Sequence, residues 1–302
     1  MDSIKNNRLM SQCRSAANRF DKSEAKRKES QAALDDGRWK DMDEMGRIVQ
    51  RASLRGVDSQ FIAEALGGFD ERIFERILGD SDLQPSRFLV EGGLACRTVG
   101  RIVAQSPRSL ATGFMVSPEL MLTNNHVLFS SESAQGAIIQ FDYQEVKPGQ
   151  IDQVQAFALR PDRLFLTDVK LDFTLVAVES VNDDGVDVQS RGWNHLIKQS
   201  GKAITNDRVN IIQHPNGRPQ EISVRANKVL GPPVDSFLHY GADTQPGSSG
   251  SPVYNDEWQV AALHHAGIPI LDDSGNIIDW RANEGVRISS IMSFIDKVAI
   301  RL

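Results

Sequence analysis

The sequence predicts a mainly β protein of two six-stranded barrels, with a helical module before them and a single helix after them. Three observations support this fold class. Charged, helix-favouring residues dominate the first 84 positions, short β-prone runs begin at Phe88, and the closing stretch SSIMSFIDKVAIRL has helical spacing. Many short strands at regular spacing are typical of all-β barrels or sandwiches. The 302 residues are enough to bury one large core or two ordinary ones.

The predicted helical module covers residues 1–84. Residues 23–53 are highly charged and contain no proline, as expected of solvated helices. The stretch DSQFIAEALGG favours a short helix, with Asp58 or Ser59 as its cap and two glycines as its stop, and a further helix is expected from Asp70. No binding motif occurs here. The module is therefore either an extension packed against the barrels or a regulatory part that binds a protein partner.

The barrels are expected within residues 85–302, at roughly 88–182 and 195–290, separated by the polar linker NDDGVDVQSRG. The strand-like runs of the first barrel are TVGRIVA, TGFMVS, LMLTNNHVL, GAIIQFDY, QVQAFALR and FTLVAV. Those of the second are KAITN, RVNIIQH, ISVRANKVLG, FLHYGA, SPVYN and WQVAALHH. Short β-prone runs of this kind, separated by turns, indicate strands.

Composition and charge exclude several classes of function. The formal net charge is −6, which offers no overall attraction to nucleic acid or an anionic membrane. Only Cys13 and Cys96 are present, and no cluster of Cys, His and Asp has the spacing of a zinc site, so we expect no metal and no cofactor. The N-terminus lacks the apolar core of a signal peptide, and no stretch approaches a membrane span. We therefore expect a cytoplasmic protein.

The run GSSGSP, residues 247–252, has the composition of a loop that presents a nucleophile. Its glycines permit a tight turn whose N–H groups approach a ligand closely. A serine hydroxyl needs an adjacent base, and that base needs a third group to orient it. Two such residues precede it: His126 follows the apolar run ELMLTNN, and Asp172 begins the apolar run DFTLVAV. The chain therefore offers His126, Asp172 and Ser249 in that order.

Four motifs, TNNHV, LDFTLV, GSSGSP and AALHHAG, carry a resemblance to a known family. Over roughly residues 88–300 the chain resembles the trypsin-like serine peptidases, and in particular the bacterial V8-type glutamyl endopeptidases. The resemblance implies a chymotrypsin-like double barrel and an endopeptidase that acts through an acyl-enzyme. It implies Ser249 as nucleophile, His126 as general base and Asp172 as orienter. Backbone N–H groups of Gly247 and Ser249 would form the oxyanion hole.

The resemblance also bears on substrate preference. Thr244 and His264 fall where V8-type enzymes hold the acidic side chain that precedes the scissile bond, since a histidine can donate a hydrogen bond to a carboxylate. Asp243 lies where trypsin keeps the aspartate that selects Arg or Lys. The relatives carry a tryptophan where this chain has His265 and a glycine where it has Ala266. Acidic, basic and other preferences therefore stay open at this point.

Two other functions are compatible with these motifs. The barrels could form a peptide-binding module that is catalytically silent or needs a partner to activate it. The same three side chains could also serve another acyl hydrolase. The strand pattern of the whole domain and the edge of AALHHAG, which suits pairing with an extended peptide, favour a peptidase with a protein or peptide substrate.

Overall fold

A computed structural model describes residues 2–68, 83–105, 108–224, 227–272, 274 and 276–298 of the chain. Its helices are α1 (Asp2–Lys22), α2 (Glu24–Asp35), α3 (Met45–Leu54), α4 (Ser59–Gly68), α5 (Arg87–Arg97), α6 (Ser131–Ala134) and α7 (Ile288–Lys297). The predicted helix at 58–68 is confirmed, and the side chain of Asp58 caps it by accepting from the N–H groups of Gln60 and Phe61. The helix expected from Asp70 falls outside the described residues.

The first sheet is antiparallel and has the strand order β7-β4-β1-β2-β3-β9-β8. Its strands are β1 (Val99–Gln105), β2 (Arg108–Met115), β3 (Leu120–Thr123), β4 (Ile138–Phe141), β7 (Gln155–Ala158), β8 (Phe165–Asp168) and β9 (Phe173–Ala177), and a separate hairpin joins β5 (Glu145–Lys147) to β6 (Gln150–Ile151). All six predicted strands of this barrel form. The sheet gains β8, which the sequence did not predict.

The second sheet is also antiparallel and has the order β11-β10-β13-β14-β15-β12. Its strands are β10 (Asn210–Gln213), β11 (Glu221–Ser223), β12 (Phe237–Tyr240), β13 (Pro252–Tyr254), β14 (Val260–Leu271) and β15 (Ile277–Arg287). The strand predicted at KAITN does not form, because a 3₁₀ turn at Ser200–Lys202 occupies its start. Instead β14 continues to Leu271 and returns as β15. The fold is mainly β and chymotrypsin-like, as predicted.

Three buried apolar clusters hold these sheets together. One fills the first barrel around Ile102, Met121 and Phe157, and a second fills the other barrel around Ile211 and Val253. The third lies between the sheets and includes the residues Phe114, Leu122, Phe173, Tyr254, Val286 and, from α7, Ile291 and Ile295. Burial of these side chains is the main favourable contribution to folding. The third cluster fixes the first sheet against the second, and so determines how residues from the two sheets meet.

Helix α3 is joined to the second barrel by buried charge. The guanidinium of Arg51 is completely buried and binds Asp207, with Nε 2.7 Å from Oδ2, and also Glu257. Arg47 donates to Asp43 at 2.8 Å and to the carbonyl oxygens of Ser200 and Ala203. A buried guanidinium that lost these partners would be strongly destabilising. The N-terminal helices are therefore packed onto the peptidase sheets in this structure.

Helix α1 lies on the β14–β15 hairpin. Its buried side chains Cys13, Ala16 and Ala17 form one apolar cluster with Ala266 and Ile268 of β14 and Ala282 of β15. Small residues on both surfaces allow the helix backbone to approach the strands closely. None of the helices in the described part of the chain is long and apolar enough to span a membrane.

Candidate active site

The pairing of β3 with β9 brings His126 and Asp172 together. Thr123, at the end of β3, pairs with Thr174 at the start of β9, so the residues just beyond and just before them are neighbours. His126 Nδ1 lies 2.7 Å from Asp172 Oδ2, and the His126 N–H donates to Asp172 Oδ1 at 2.9 Å. Asn124 Nδ2 donates to the Asp172 carbonyl oxygen at 2.9 Å. His126 thus makes two contacts to one carboxylate, one through its imidazole and one through its backbone N–H.

Asp172 is completely buried and has a left-handed backbone, with φ of 46°. Aspartate tolerates this conformation better than most residues. Burial alone would raise the pKa of Asp172, but the charge and hydrogen bond of His126 and the hydrogen bond of His265 outweigh it and lower the pKa to about 2. The carboxylate therefore stays ionised at neutral pH and keeps a proton on His126 Nδ1. Nε2 of His126 is then left as the basic atom.

Ser249 is held on the loop between β12 and β13. Its carbonyl oxygen accepts from the N–H of Thr112 in β2 at 2.9 Å, and the next N–H, of Gly250, donates to the His264 carbonyl oxygen at 3.0 Å. The Thr112 carbonyl oxygen in turn accepts from Thr123 Oγ1 at 2.8 Å. Since Thr123 is three residues before His126, these bonds connect the serine loop to the segment that carries the imidazole.

The accessibility of the three serines in this loop separates their roles. Ser249 is half-buried, whereas Ser248 and Ser251 are completely buried. Ser248 Oγ accepts from the Gln245 N–H at 3.1 Å and so braces the turn. Nε2 of His126 is buried and has no hydrogen-bond partner in the described part of the chain. A buried unpaired nitrogen is unfavourable in a resting structure and suits an atom that accepts a proton during reaction.

The peptide between Pro246 and Gly247 is held through its carbonyl oxygen. The Pro246 carbonyl oxygen accepts from the Asn216 N–H at 2.5 Å. Because a trans peptide points its N–H away from its C=O, the Gly247 N–H faces the opposite side. Within the described residues, neither this N–H nor that of Ser249 donates to another backbone group. Gly247 has φ of 98°, which favours glycine.

The structure also locates the residues predicted to set specificity. His264 is almost completely buried, its Nδ1 lies 2.8 Å from the Tyr240 hydroxyl, and burial lowers its pKa to about 3. Thr244 Oγ1 donates to Asn283 Oδ1 at 2.6 Å. The side chain of Asp243 is exposed, and only its carbonyl oxygen is bound, by Gln213 Nε2. Asn283, which the sequence analysis did not single out, joins Thr244 to the Ala242 carbonyl oxygen.

A buried polar network behind Asp172 was also missed. His265 Nδ1 lies 3.1 Å from Asp172 Oδ2, and its Nε2 lies 2.8 Å from Glu284 Oε1. Glu284 is further bound by His239 and by Arg19 of α1. A vicinal His264-His265 pair was the only signal in the sequence, and it does not reveal partners from distant segments. In the described ranges no group of His, Cys, Asp or Glu side chains is arranged to hold a metal ion.

The two antiparallel sheets and the buried His126–Asp172 pair are typical of chymotrypsin-like serine peptidases. Among the described residues, the Ser249 side chain makes no hydrogen bond to His126 Nε2. Residues 111–263 match the family model described as "Trypsin-like peptidase domain". The chain belongs to this family, whose members are hydrolases of peptide bonds. All three of His126, Asp172 and Ser249 fall within the matched range.

Relatives and solved structures extend the comparison. The chain is 35% identical over 271 residues to "Uncharacterized protein y4fB" of Sinorhizobium fredii (strain NBRC 101917 / NGR234), covering 78% of this chain and 41% of that protein. It is 28% identical over 175 residues to "Secreted RxLR effector protein 73" of Plasmopara viticola, covering 52% and 41%. The chain thus spans about two fifths of the length of these curated relatives.

Crystal structures of the Rv3671c protease of M. tuberculosis H37Rv are also similar. Its inactive form matches with a TM-score of 0.46 and 17% identity, over 72% of this chain and 98% of that chain. The inactive form of its Ser343Ala mutant matches with a TM-score of 0.47 and 15% identity, over 74% and 99%.

Proposed function

We propose that the protein is a serine endopeptidase in which His126, Asp172 and Ser249 form the catalytic triad. The observation that carries this proposal is the His126 imidazole, which is locked through Nδ1 onto a buried carboxylate and leaves Nε2 unpartnered. That geometry gives a base in the correct tautomer. The accessible serine of a glycine-flanked loop lies on the strand system that positions this base.

The proposed reaction uses only groups of this chain. His126 Nε2 takes the proton of Ser249 Oγ as the oxygen attacks the substrate carbonyl carbon, and Asp172 stabilises the imidazolium that forms. The N–H groups of Gly247 and Ser249 donate to the developing oxyanion. His126 then protonates the leaving amine, and water attacks the acyl-enzyme by the same route in reverse.

Within the family we place the protein near the V8-type glutamyl endopeptidases and propose a preference for an acidic residue before the scissile bond. Tyr240 keeps its proton, because burial holds its pKa well above the ordinary value, so its hydroxyl donates to His264 Nδ1. A neutral His264 then carries its proton on Nε2, as a donor for a carboxylate. The exposed side chain of Asp243 does not form the buried counter-charge that a basic substrate needs. Both features favour an acidic preference over a basic one.

The proposal also covers the two parts of the chain, the substrate and the cellular location. Residues 1–84 would act as a helical module that regulates the peptidase or recruits a protein partner, and residues 85–302 would form the peptidase domain. The substrate would be a protein or peptide. A cytoplasmic location stays a prediction.

A fluorophosphonate that carries only small alkyl groups tests the triad directly, because it reacts with an activated serine and needs little of the substrate groove. We expect wild type to acquire one adduct, which peptide mass spectrometry places on Ser249. Ser249→Ala and His126→Gln prevent or greatly slow its formation. Ser251→Ala, which removes a neighbouring buried hydroxyl, is the matched control and is labelled like wild type. An adduct on another residue, or equal labelling of Ser249→Ala, would contradict the triad.

A further inference from the structure

His265 lies between two buried carboxylates. Its Nδ1 is 3.1 Å from Asp172 Oδ2 and its Nε2 is 2.8 Å from Glu284 Oε1, and all three side chains are completely buried. Its ring stacks on Phe237, with the ring centroids 5.3 Å apart. An imidazole can donate from both nitrogens at once only when it is protonated. The contacts on both sides therefore favour the imidazolium.

Glu284 is fixed in turn from three sides. Besides His265, it is bound by His239 Nε2 at 2.8 Å and by the guanidinium of Arg19, whose Nε lies 2.9 Å from Oε2. The guanidinium also lies over the Phe237 ring, 3.7 Å from its centroid. Buried charges are tolerated when they are paired and hydrogen-bonded in this way. The carboxylate of Glu284 thus forms a rigid support for the far nitrogen of His265.

We propose that His265, supported by Glu284, is a positioning residue that holds the Asp172 carboxylate in the geometry that orients His126. This inference rests on the proposed triad. Asp172 Oδ2 receives two ring nitrogens, His126 Nδ1 from one side and His265 Nδ1 from the other. With Oδ1 held by the His126 N–H, the carboxylate cannot rotate. A misplacement of about 1 Å in such a group can lower the rate by about 100-fold.

Charge makes His265 different from a neutral donor. Burial alone would lower its pKa, but the hydrogen bonds and charges of Asp172 and Glu284 raise it to about 9. Above that pH, the neutral ring has one N–H and can donate to only one of the two carboxylates. The fixed position of the Asp172 carboxylate is therefore lost as the pH rises through about 9. The titratable or charged groups around it are Asp172, Glu284, Arg19, His239, His126, His264 and Cys13.

The test compares His265→Gln, which keeps a neutral donor, with His265→Phe, which has none. The rate of Ser249 labelling by the small alkyl fluorophosphonate is measured from pH 6 to pH 11. We expect the wild-type rate to fall above pH 9. His265→Gln should lack that fall and react at every pH at about the reduced rate that wild type reaches above pH 9, and His265→Phe should lose about 100-fold relative to wild type at pH 7.5. Circular dichroism checks that each variant is folded.

Two results would overturn the inference. If His265→Gln falls above pH 9 as wild type does, the titrating group is not His265. If folded His265→Phe is labelled at the wild-type rate, Asp172 needs no second donor. Complete absence of labelling in wild type would refute the proposed triad as well, so the two failures are distinguishable.

A different observation supports a second inference, concerning the edge of β14. Among the described strands, the pairing of β13 with β14 extends only as far as Leu263. From Ala266 onward, β14 therefore pairs with β15 alone. An exposed strand edge of this kind can pair with an extended peptide. Helix α1 packs on this hairpin beside the unpaired stretch, with Cys13 and Ala16 buried against Ala266 and Ile268.

Helix α1 also contacts the first barrel. Gln12 Nε2 donates to the Val169 carbonyl oxygen at 3.3 Å, three residues before Asp172, and the Arg8 guanidinium lies 4.8 Å from the ring centroid of Phe129, three residues after His126. Together with the packing of Ala16 on the hairpin, these contacts place α1 across the cleft between the sheets. We propose that α1 is an internal competitor of an extended peptide, and that peptide binding requires its displacement.

The test compares two substitutions that each introduce an arginine into α1. Ala16→Arg places a guanidinium at a completely buried position of α1, and Asn18→Arg places it at an exposed one. Each variant reacts with the small alkyl fluorophosphonate and with a tripeptidyl phosphonate that must also occupy the strand edge. Displacing α1 also takes Arg19 away from Glu284, which lowers both rates, so the measured quantity is the ratio of the tripeptidyl rate to the small-probe rate. We expect Ala16→Arg to raise this ratio by about 10-fold to 1,000-fold, the range for releasing a minor open state. Asn18→Arg should keep the wild-type ratio.

An equal ratio of the two rates in wild type and Ala16→Arg would contradict the proposal. So would a lower ratio in Ala16→Arg, because α1 would then help to bind the extended peptide. A wild type that reacts with neither probe would refute the proposed triad itself.

Discussion

Replacing Gly247 by alanine tests the oxyanion hole at its most constrained position. A Cβ at this residue would lie 2.7 Å from the His214 carbonyl oxygen and 3.0 Å from the Gly217 nitrogen, in a backbone with φ of 98°. The left-handed conformation alone costs about 1–2 kcal/mol for a residue with a side chain. Relief of the clash requires the peptide to move, and the Gly247 N–H then leaves the hole. Loss of one such donor lowers the rate by about 100-fold to 1,000-fold.

The matched control is Gly136→Ala. Gly136 has φ of 75° and no atom within 4 Å of its ideal Cβ position, so it shares the backbone penalty without the clash. Urea unfolding and the steady-state rate on a peptide or ester substrate are measured for both variants. We expect a loss of stability in both and a loss of kcat only in Gly247→Ala. If folded Gly247→Ala keeps the wild-type kcat, this N–H does not stabilise the transition state.

Three further predictions concern stability, pH and specificity. Arg51→Ala removes the completely buried guanidinium that binds Asp207 and Glu257 and leaves them with Arg55, so it should cost about 3–5 kcal/mol in urea unfolding. Arg38→Ala, at an exposed pair, should leave unfolding close to that of wild type, and equal effects of the two changes would contradict this. The pKa of His265 is raised from 6.5 to about 9, so its contribution to stability, on the order of 3 kcal/mol, is complete below pH 6.5 and is lost as the pH rises through 9. Unfolding free energies measured between pH 6 and 10 check this loss of stability, and His265→Gln should remove the part that depends on pH near 9. His264→Leu should reduce cleavage after Glu relative to cleavage after Leu by at least about 10-fold, measured on paired peptides, because it loses a donor to the substrate carboxylate; an unchanged ratio would contradict the acidic preference.

Local signals were sufficient to predict the fold class and to single out three of the candidate site residues. The apolar runs beside His126 and Asp172 correspond to β3 and β9, and the register of these strands explains why the two residues meet. The glycines flanking Ser249 predicted a tight loop, and both Gly247 and Gly250 have positive φ. These features depend on spacing within a few residues, which a single sequence shows.

The parts that were missed depend on contacts between distant segments. Strand β15 was not predicted, because its buried residues include the polar Asn283 and Glu284. Polar residues at buried positions do not give the apolar pattern by which a strand is recognised in a sequence. The KAITN run was predicted to be a strand, but Lys202 turns back to bind the carbonyl oxygens of Ile197 and Gln199. The partner of Glu284 on α1, Arg19, is 265 residues away in sequence.

A proteomic cleavage map tests the central claim most directly. Wild type and Ser249→Ala are each incubated near pH 8 with a denatured protein mixture, and new termini, including any in the enzyme itself, are identified by mass spectrometry. The proposed triad predicts new termini with wild type alone, and the proposed acidic preference predicts that most of them follow Glu or Asp. Equal numbers of new termini with Ser249→Ala, or none with either protein after α1 has been displaced by Ala16→Arg, would contradict the proposal that this chain is a serine endopeptidase.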